Sequence, residues 1–441
     1  MKSGIGKAVG SERFIRVDGA RVLDAKGVDA SPGSVLLRVQ GDGTGHGSGA
    51  LEGRGSVVLA GPKAEVARHP MGSAEVREFP KSLLIPGLVN AHTHLDLTHL
   101  GPIPHDQDGG FRGFVDAVRK GRRIDEEGIA ASVRRGVEMS LAGGVVAAGD
   151  IAGAPMGRPS LAAWRALREG MGLGVSFLEF FAIGLGEGPA RDRLSQLFHD
   201  NRQEINSLGG AGVRFGLQPH APTTVARRAF EWAVGLAERA GWPVSTHLAE
   251  AMDEREFVAR GVGPQREFLE SLGLWSDAVL EEVGKGASPV EHLAEVLGTR
   301  PFVCAHLNDV SDADIATLAR AGTSVAYCPR ASEYFGAERV FGPHRYREMI
   351  AAGVNVCLGT DSIINLPAGT ERISTWDEMA RLMARDGVAL SEALAMATVN
   401  GAKALGLPEG MFTFEGGELA GLVAVDLEGR GQPIELVYRW A

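Results

Sequence analysis

Residues 83–94 read LLIPGLVNAHTH, an apolar run that ends in two histidines two positions apart. Such a run predicts a buried strand. Beyond it, strand-like runs alternate with longer stretches whose apolar residues lie three and four positions apart, as in helices. Further strands are predicted at 145–150, 174–181, 212–220, 243–250, 301–306, 323–329 and 354–361. With the first strand they make the eight strand–helix units of a (β/α)8 barrel, which needs about 250 residues; a doubly wound open α/β sheet is the alternative.

The two ends of the chain have a different character. Residues 12–89 contain strand-like runs bounded by Gly, Asp and Pro. The last segment returns to strand-like alternation in LVAVDL (422–427) and PIELVYRW (433–440). We therefore expect one discontinuous β-domain, residues 1–84 and 413–441, with the barrel, residues 85–412, inserted into it.

Composition excludes several classes of partner. The 441 residues carry 45 basic and 55 acidic side chains, a net charge of −10, which argues against nucleic acid and anionic membrane surfaces as main partners. No window reaches the roughly 18 apolar residues of a membrane span, and the first residues contain no apolar stretch typical of a signal peptide. The three cysteines, each inside an apolar run, suit a reducing compartment. We expect a soluble, cytoplasmic protein.

Histidine and aspartate mark the ends of the predicted strands. The first strand ends in His92 and His94, whose side chains face the same side because they lie two residues apart. Active sites of this fold gather at the carboxyl ends of the strands. Three neutral imidazoles and a carboxylate suit a zinc-like divalent ion and leave one coordination position for water. The candidates at the later strand ends are His220, His247, His306 and Asp361.

The run His247-Leu248-Ala249-Glu250 adds a carboxylate three residues after a proposed ligand. A glutamate at that distance can reach the water on the ion and carry its proton. The same four letters recur at residues 292–295, within the amphipathic stretch VEHLAEVL. We interpret this second copy as an exposed helix face, so it serves as an internal control.

Taken together, these segments resemble the amidohydrolase superfamily. The stretch IPGLVNAHTH (85–94) is similar to the superfamily's entry signature. The later segments follow in the family's order: QPHAP (218–222), STHLAE (245–250), AHLND (305–309) and GTDS (359–362). The set resembles the branch that contains the cytosine, guanine and S-adenosylhomocysteine deaminases and the triazine chlorohydrolases. This resemblance implies that the β-rich flanks form a small accessory β-sandwich.

The resemblance also assigns roles to residues. The positions that match the family's metal ligands are His92, His94, His247 and Asp361. Glu250 matches the acid that carries protons, and His306 matches the histidine that polarises the substrate or contacts the attacking water. His220 matches a substrate contact. Asp361 would act twice, as a ligand and as the general base.

The number of metal ions follows from the lysines. Members with two metals bridge them with a carboxylated lysine on the fourth strand, and no lysine occurs here between Lys120 and Lys285. Glu179 on the fourth strand is the alternative bridge, or a substrate contact. We expect one divalent ion, with zinc first and iron or manganese as alternatives.

Two segments depart from the family. Many deaminases of the branch carry Asn-Pro-x-Ser-Asn after the seventh strand, where this chain has CPRASEYFG (328–336). That loop overhangs the site, so it bears on substrate identity. Near the C-terminus, LVAVDL replaces the usual Ala-Asp-Leu-Val.

The expected reaction is hydrolytic deamination of an aminated heterocycle, a small-molecule substrate. Water made acidic by the divalent ion attacks the ring carbon, Glu250 protonates the ring nitrogen, and ammonia leaves. One alternative is deamination of guanine or cytosine. Others are hydrolytic removal of chloride or an alkylamine from a triazine, and hydrolysis of a cyclic amide. A non-catalytic metal-binding scaffold is a further alternative, but such a protein would not need Glu250. The resemblance also implies a possible homodimer.

Aromatic and cationic residues indicate the substrate. A flat ring could stack on the aromatic residues near the site, which are Phe111, Phe114, Tyr334 and Phe335. A substrate carboxylate could be bound by Arg330, or by Arg112, Arg345 or Arg347. Ring and acid together predict an adenine nucleoside with an acidic tail, of the S-adenosylhomocysteine or aminodeoxyfutalosine type.

Overall fold

The computed structural model describes residues 12–40, 50–72, 75–105, 110–206, 212–428 and 434–440, apart from the side chains of residues 110–112, 114 and 115. The strands in this part of the chain are β1 Glu12–Leu23, β2 Asp29–Ala30, β3 Gly33–Gln40, β4 Leu51–Pro62, β5 Glu75–Pro86, β6 Leu88–Thr93, β7 Val145–Ala152, β8 Leu173–Phe180, β9 Val213–Pro219, β10 Ser245–Leu248, β11 Val303–His306, β12 Ser324–Tyr327, β13 Asn355–Leu358, β14 Gly417–Glu418, β15 Gly421–Asp426 and β16 Ile434–Trp440.

The helices connect and cover these strands. They are α1 Lys63–Val66, α2 Gly110–Gly121, α3 Glu126–Ala142, α4 Ala162–Gly170, α5 Glu187–Asp200, α6 Arg202–Asn206, α7 Arg227–Ala240, α8 Met252–Arg260, α9 Pro264–Ser271, α10 Val279–Glu282, α11 Pro289–His292, α12 Ala294–Leu297, α13 Asp312–Ala321, α14 Pro329–Tyr334, α15 Ala337–Phe341, α16 Tyr346–Ala351, α17 Thr375–Asp386, α18 Leu390–Ala397 and α19 Val399–Ala404. None of the described helices is both long and apolar enough to cross a membrane.

Eight parallel strands follow the predicted segments. Strands β6 to β9 form one sheet and β10 to β13 a second, each in sequential order. Isolated parallel bridges join the two sheets, between Leu217 and Val244 and between Thr93 and Asp361. A doubly wound sheet reverses its strand order at a switch point. The sequential order in both sheets therefore favours the barrel-type arrangement over the doubly wound alternative.

The strands beside the site are buried on both faces. Every residue of β6, β7 and β8 is buried, as expected for parallel strands covered by helices. Helix α7 shows how the cover is built, because its buried residues recur three and four positions apart and Gly241 ends it with a left-handed φ of 70°. All three cysteines, Cys304, Cys328 and Cys357, are buried and unpaired. The core thus supports strand ends that can present polar side chains.

The chain ends share one further sheet, as the C-terminal strand pattern predicts. Its hydrogen-bonded pairs run from β1 to β3, β3 to β4, β4 to β16, β16 to β15, β15 to β5 and back from β5 to β1. The short strands β2 and β14 add to this ring. The ring encloses its own apolar cluster, which includes Ile15, Leu37 and Tyr438. The expected two-layer sandwich is not confirmed, because the strand pairing is continuous rather than divided between two facing sheets.

Candidate active site

Four side chains from three strand ends converge on one point. His92 and His94 come from the end of β6, His247 from β10, and Asp361 from the segment after β13. Backbone hydrogen bonds hold the first and last of these together: His94 N–H donates to the Asp361 carbonyl at 3.2 Å, and Asp361 N–H donates to the His92 carbonyl at 3.0 Å. Asp361 has a left-handed φ of 55°, which is uncommon outside glycine. These bonds therefore hold the end of β6 next to the segment that carries Asp361.

The donor atoms of these side chains lie close together. His94 Nε2 is 3.3 Å from His247 Nε2, and Asp361 Oδ1 is 3.4 Å from His94 Nε2 and 3.7 Å from His92 Nε2. His92 is fully buried, and neither of its ring nitrogens has a hydrogen-bond partner among the described residues. Leaving buried polar atoms unpaired costs about 1–3 kcal/mol each. A divalent cation among these lone pairs would satisfy them, so the residues fit a metal site.

Protonation states agree with metal binding. Burial lowers the pKa of His94 and of His247 well below the usual histidine range, which keeps both imidazoles neutral. Burial alone would raise the pKa of Asp361, but the neighbouring imidazoles of His92, His94 and His306 lower it below its usual range. Neutral imidazole and ionised carboxylate are the forms that bind a metal.

Glu250 and His306 lie beside this cluster. Glu250 Oε1 is 3.6 Å from His306 Nε2, and both residues line the same cavity as His94 and Asp361. Burial raises the pKa of Glu250 well above its usual range, and the carboxylates of Asp361 and Glu254 add to the shift. Burial lowers the pKa of His306 to about 3. Glu250 is therefore disposed to carry a proton, while His306 is a neutral hydrogen-bonding group.

The cavity has a volume of about 440 Å³, within the usual range for a small-molecule site. His220 and Glu179, both predicted as substrate contacts, form part of its wall. Glu179 Oε1 is 4.0 Å from His220 Nε2 and has no hydrogen-bond partner in the described structure. Burial raises the pKa of Glu179 to about 7. An unpaired carboxyl oxygen aimed at a cavity can accept a hydrogen bond from a hydroxyl or an amine.

Arg122 is a cavity residue that the sequence did not single out. It follows α2, and its Nη2 and Nε donate to Asp96 Oδ2 at 2.6 and 3.1 Å. Its Nη1 lies 3.9 Å from Glu179 Oε2. The guanidinium occupies space that any side chain at Gly153 would need. No local sequence pattern predicts these contacts, because they join segments that are far apart in the chain.

The structure does not bring Arg330 to the cavity wall. Its Nε lies 3.4 Å from Glu378 Oε1, and its Nη2 lies 3.7 Å from Asp377 Oδ2. The prediction that Arg330 binds a substrate carboxylate is therefore corrected, because Arg330 is not among the residues that line the cavity and its guanidinium lies beside carboxylates of the protein. Arg345 likewise pairs with Asp312 and Glu348, and Arg347 donates to the Asp386 carbonyl.

The aromatic candidates divide into two groups. Phe335 lines the cavity, and Tyr334 lies against it with ring centroids 5.0 Å apart. The side chains of Phe114, Phe111 and Arg112 lie outside the described residues.

The control copy of the HLAE motif behaves as expected, because Glu295 lies on α12 with a mostly exposed side chain that pairs with Arg227.

Asp150 supports the segment that follows His94, since its Oδ1 accepts a hydrogen bond from Leu95 N–H at 2.9 Å. Burial raises the pKa of Asp150 to about 8, and the Asp96 carboxylate adds to the shift. An unfolded aspartate ionises near pH 4. Between about pH 4 and 8 only the folded state therefore keeps the proton, so this group's contribution to stability falls as pH rises.

Replacing Asp150 with Asn tests this linkage. The amide keeps an oxygen for Leu95 N–H but cannot ionise. From pH 5 to pH 8 we expect the variant to gain at least about 1 kcal/mol in free energy of unfolding relative to the original protein. Urea unfolding at both pH values measures the difference. If the two proteins differed in free energy of unfolding by the same amount at pH 5 and at pH 8, the raised pKa of Asp150 would be refuted.

Comparison with known proteins gives consistent matches. A family model described as the amidohydrolase family matches residues 83–438. Aminodeoxyfutalosine deaminase of Deinococcus radiodurans is 30% identical over 343 residues, covering 72% of this chain and 74% of that protein. A 5-methylthioadenosine/S-adenosylhomocysteine deaminase of Symbiobacterium thermophilum is 26% identical over 397 residues, covering 85% and 79%. An adenosine deaminase structure from Xanthomonas campestris with bound zinc has a TM-score of 0.65 at 22% identity, covering 95% and 86%.

Proposed function

This chain belongs to the amidohydrolase family, and on that premise we propose that it is a hydrolytic deaminase of an adenine nucleoside with an acidic tail. The observation that carries the proposal is that Glu250, whose pKa burial raises, lines the same cavity as His94, His247 and Asp361 and lies 3.6 Å from His306. The relatives named above are deaminases of adenine nucleosides, which supports the same reaction class here.

The ligand set would be His92, His94, His247 and Asp361, holding one divalent ion, zinc first. A bound divalent ion supplies Lewis acidity that makes water far more acidic than in bulk. A second ion is disfavoured because no lysine is available as a carboxylated bridge between Lys120 and Lys285. The alternative bridge, Glu179, lies 3.9 Å from the Arg122 guanidinium, which repels a cation.

Asp361 and Glu250 carry out the proton transfers of the reaction. Asp361 accepts a proton from the attacking water, which adds to the ring carbon that bears the exocyclic amine. Glu250 delivers a proton to the ring nitrogen, and His306 hydrogen-bonds to the oxygen at that carbon. The proton held by Asp361 then passes to the amine, which leaves as ammonia. The hydroxyl left on the ring carbon gives its proton back to Glu250 and becomes the carbonyl of the product. Glu179 and His220 contact the substrate from the other side of the cavity.

The acidic tail would meet Arg193 instead of Arg330. Arg193 lines the cavity and forms no ion pair with any carboxylate of the described residues. Around it the wall is apolar and partly exposed at Ile124, Met156 and Phe181. An unpaired guanidinium next to apolar surface suits a carboxylate on a largely apolar tail.

Replacing Arg193 with Gln is expected to raise KM for a carboxylated adenine nucleoside at least about tenfold, since a charged hydrogen bond contributes about 1.5–3 kcal/mol. KM for 5′-deoxyadenosine, which has no acidic tail, should stay within about twofold. Arg330→Gln is the matched control, and it should leave KM unchanged for both substrates. Equal effects of Arg193→Gln on both substrates would exclude this residue as the tail contact.

A substrate panel tests the proposed function itself. Purified protein loaded with zinc is assayed for ammonia with adenine nucleosides, guanine, cytosine and a triazine. We expect release from the adenine nucleosides, fastest with those that carry a carboxylate. Release confined to guanine, cytosine or the triazine would overturn the substrate assignment.

We further infer that the two parallel sheets form one closed (β/α)8 barrel, residues 85–412, supported by the bridges that join them at both seams. The β-rich unit, residues 1–84 and 413–441, is inferred as a separate domain because it has an apolar cluster of its own. The cytoplasmic location, the homodimer and the absence of nucleic-acid and membrane partners stay predictions from the sequence.

A further inference from the structure

The turn that carries Glu250 is bonded at each of its polar backbone atoms. The N–H groups of Ala249 and Glu250 donate to the two carboxylate oxygens of Glu254, at 2.9 and 2.8 Å. The Ala249 carbonyl accepts from Asp309 N–H at 3.0 Å, and the Glu250 carbonyl accepts from Asn308 Nδ2 at 3.0 Å. The side chain of Glu250 lines the cavity, as Ala251 and Glu254 also do.

These bonds oppose a local strain. Ala249 has a left-handed φ of 53°, a conformation that costs a residue with a β-carbon about 1–2 kcal/mol. Glu254 lies in the first turn of α8 and is only 5% exposed. One carboxylate can accept from two successive N–H groups, whereas an amide offers one acceptor and one donor. The chemistry of the turn thus calls for a carboxylate at position 254.

The second copy of the motif lacks this arrangement. Four residues after Glu295 stands Thr299, whose hydroxyl donates to the Val296 carbonyl. Ala294, the counterpart of Ala249, is not left-handed. A glutamate four residues further on therefore distinguishes the cavity copy from the helical one.

We propose that Glu254 is a positioning residue, which acts through Glu250 by fixing the turn so that the Glu250 carboxylate stays next to His306. This inference rests on the proposed role of Glu250 as the proton carrier. Glu250 Oε1 and His306 Nε2 are 3.6 Å apart, and a shift of about 1 Å in a reacting group can cost about 100-fold in rate. Glu254 also lines the cavity, but each of its two oxygens already accepts a backbone N–H of the turn.

Glu254→Gln should lower kcat for ammonia release about 10- to 100-fold, with KM within about twofold and metal content unchanged. Its effect should vanish when Glu250 is already Gln, because residues that act as one unit are not additive. Glu254→Asp keeps both acceptor oxygens and should recover part of the loss. Glu256→Gln is the matched control, since Glu256 lies on the same helix and pairs with Arg260 at the surface.

A crystal structure of the Glu254→Gln variant tests, without an activity assay, whether Glu254 holds the Glu250 carboxylate next to His306. We expect the Glu250 carboxylate to move away from His306 while the three histidines and Asp361 stay in place. An unmoved Glu250, or an equal loss of kcat from Glu254→Gln with and without Glu250→Gln, would overturn the inference. If Glu250→Gln itself proves fully active, the proposed mechanism fails, and the crystal structure still shows whether Glu254 holds the turn.

Discussion

Replacing Glu250 with Gln is expected to lower kcat for ammonia release by about 10²- to 10⁴-fold, the usual contribution of a positioned proton donor. The amide keeps the size and hydrogen bonding of the side chain but cannot deliver a proton. Burial already raises the pKa of Glu250, so the carboxyl is available as an acid near neutral pH. Because Glu250 is not among the proposed ligands, the metal content of the variant should equal that of the original protein.

The chain supplies a matched control in the repeated motif. Glu295→Gln makes the same chemical change on an exposed helix, where the side chain pairs with Arg227. Activity should stay near its original value. If Glu250→Gln were as active as Glu295→Gln, Glu250 would be a structural residue and the proposed mechanism would be wrong.

His247→Ala should abolish both metal binding and activity. Removing an outer partner of a ligand already costs about 10- to 100-fold in metal affinity, so losing a ligand should cost at least about 100-fold. His247 Nε2 faces His94 Nε2 at 3.3 Å, and His247 and His94 belong to one group of close ligand atoms together with His92. Elemental analysis and ammonia release measure the two losses.

His292→Ala is the corresponding control, because His292 is the last residue of α11, belongs to the second copy of the motif and does not line the cavity. It should retain both metal and activity. An active, metal-loaded His247→Ala protein would show that the ion, if present, binds elsewhere.

The strands and the cluster at their ends could be predicted from the sequence, because both depend on local patterns. The run predicted at 145–150 is β7, Val145–Ala152, and the run at 301–306 ends at His306 as β11 does. Fully buried parallel strands leave continuous apolar runs in the sequence. In sequential parallel sheets the carboxyl ends lie at one edge, so histidines that end such runs come together in space.

Long charged side chains could not be placed in the same way. Arg330 follows a predicted strand, yet its partner Glu378 lies on α17, about fifty residues further along the chain. Arg122 reaches the cavity only because Asp96 and Gly153 accommodate it. Such side chains select partners by tertiary contact, and sequence proximity to a strand end does not show which way they turn.

The β-rich unit shows a second limit. The alternation of apolar and polar residues identified the strands of this unit, including its C-terminal strands. The same alternation occurs in a sandwich and in a closed ring, so it does not distinguish the two. The parallel pair of β4 and β16 joins the two ends of the described chain, with Tyr438 opposite Leu51. Pairing between segments so distant leaves no local pattern.

Ammonia release from an adenine nucleoside with a carboxylate tail tests the central claim most directly. The assay uses purified protein whose metal content has been measured, before and after a chelator removes the ion and zinc is returned. We expect one ammonia per nucleoside consumed, loss of activity without the ion, and recovery with it. Zinc-loaded protein that releases no ammonia from any adenine nucleoside, or full activity in protein free of transition metal, would contradict the account.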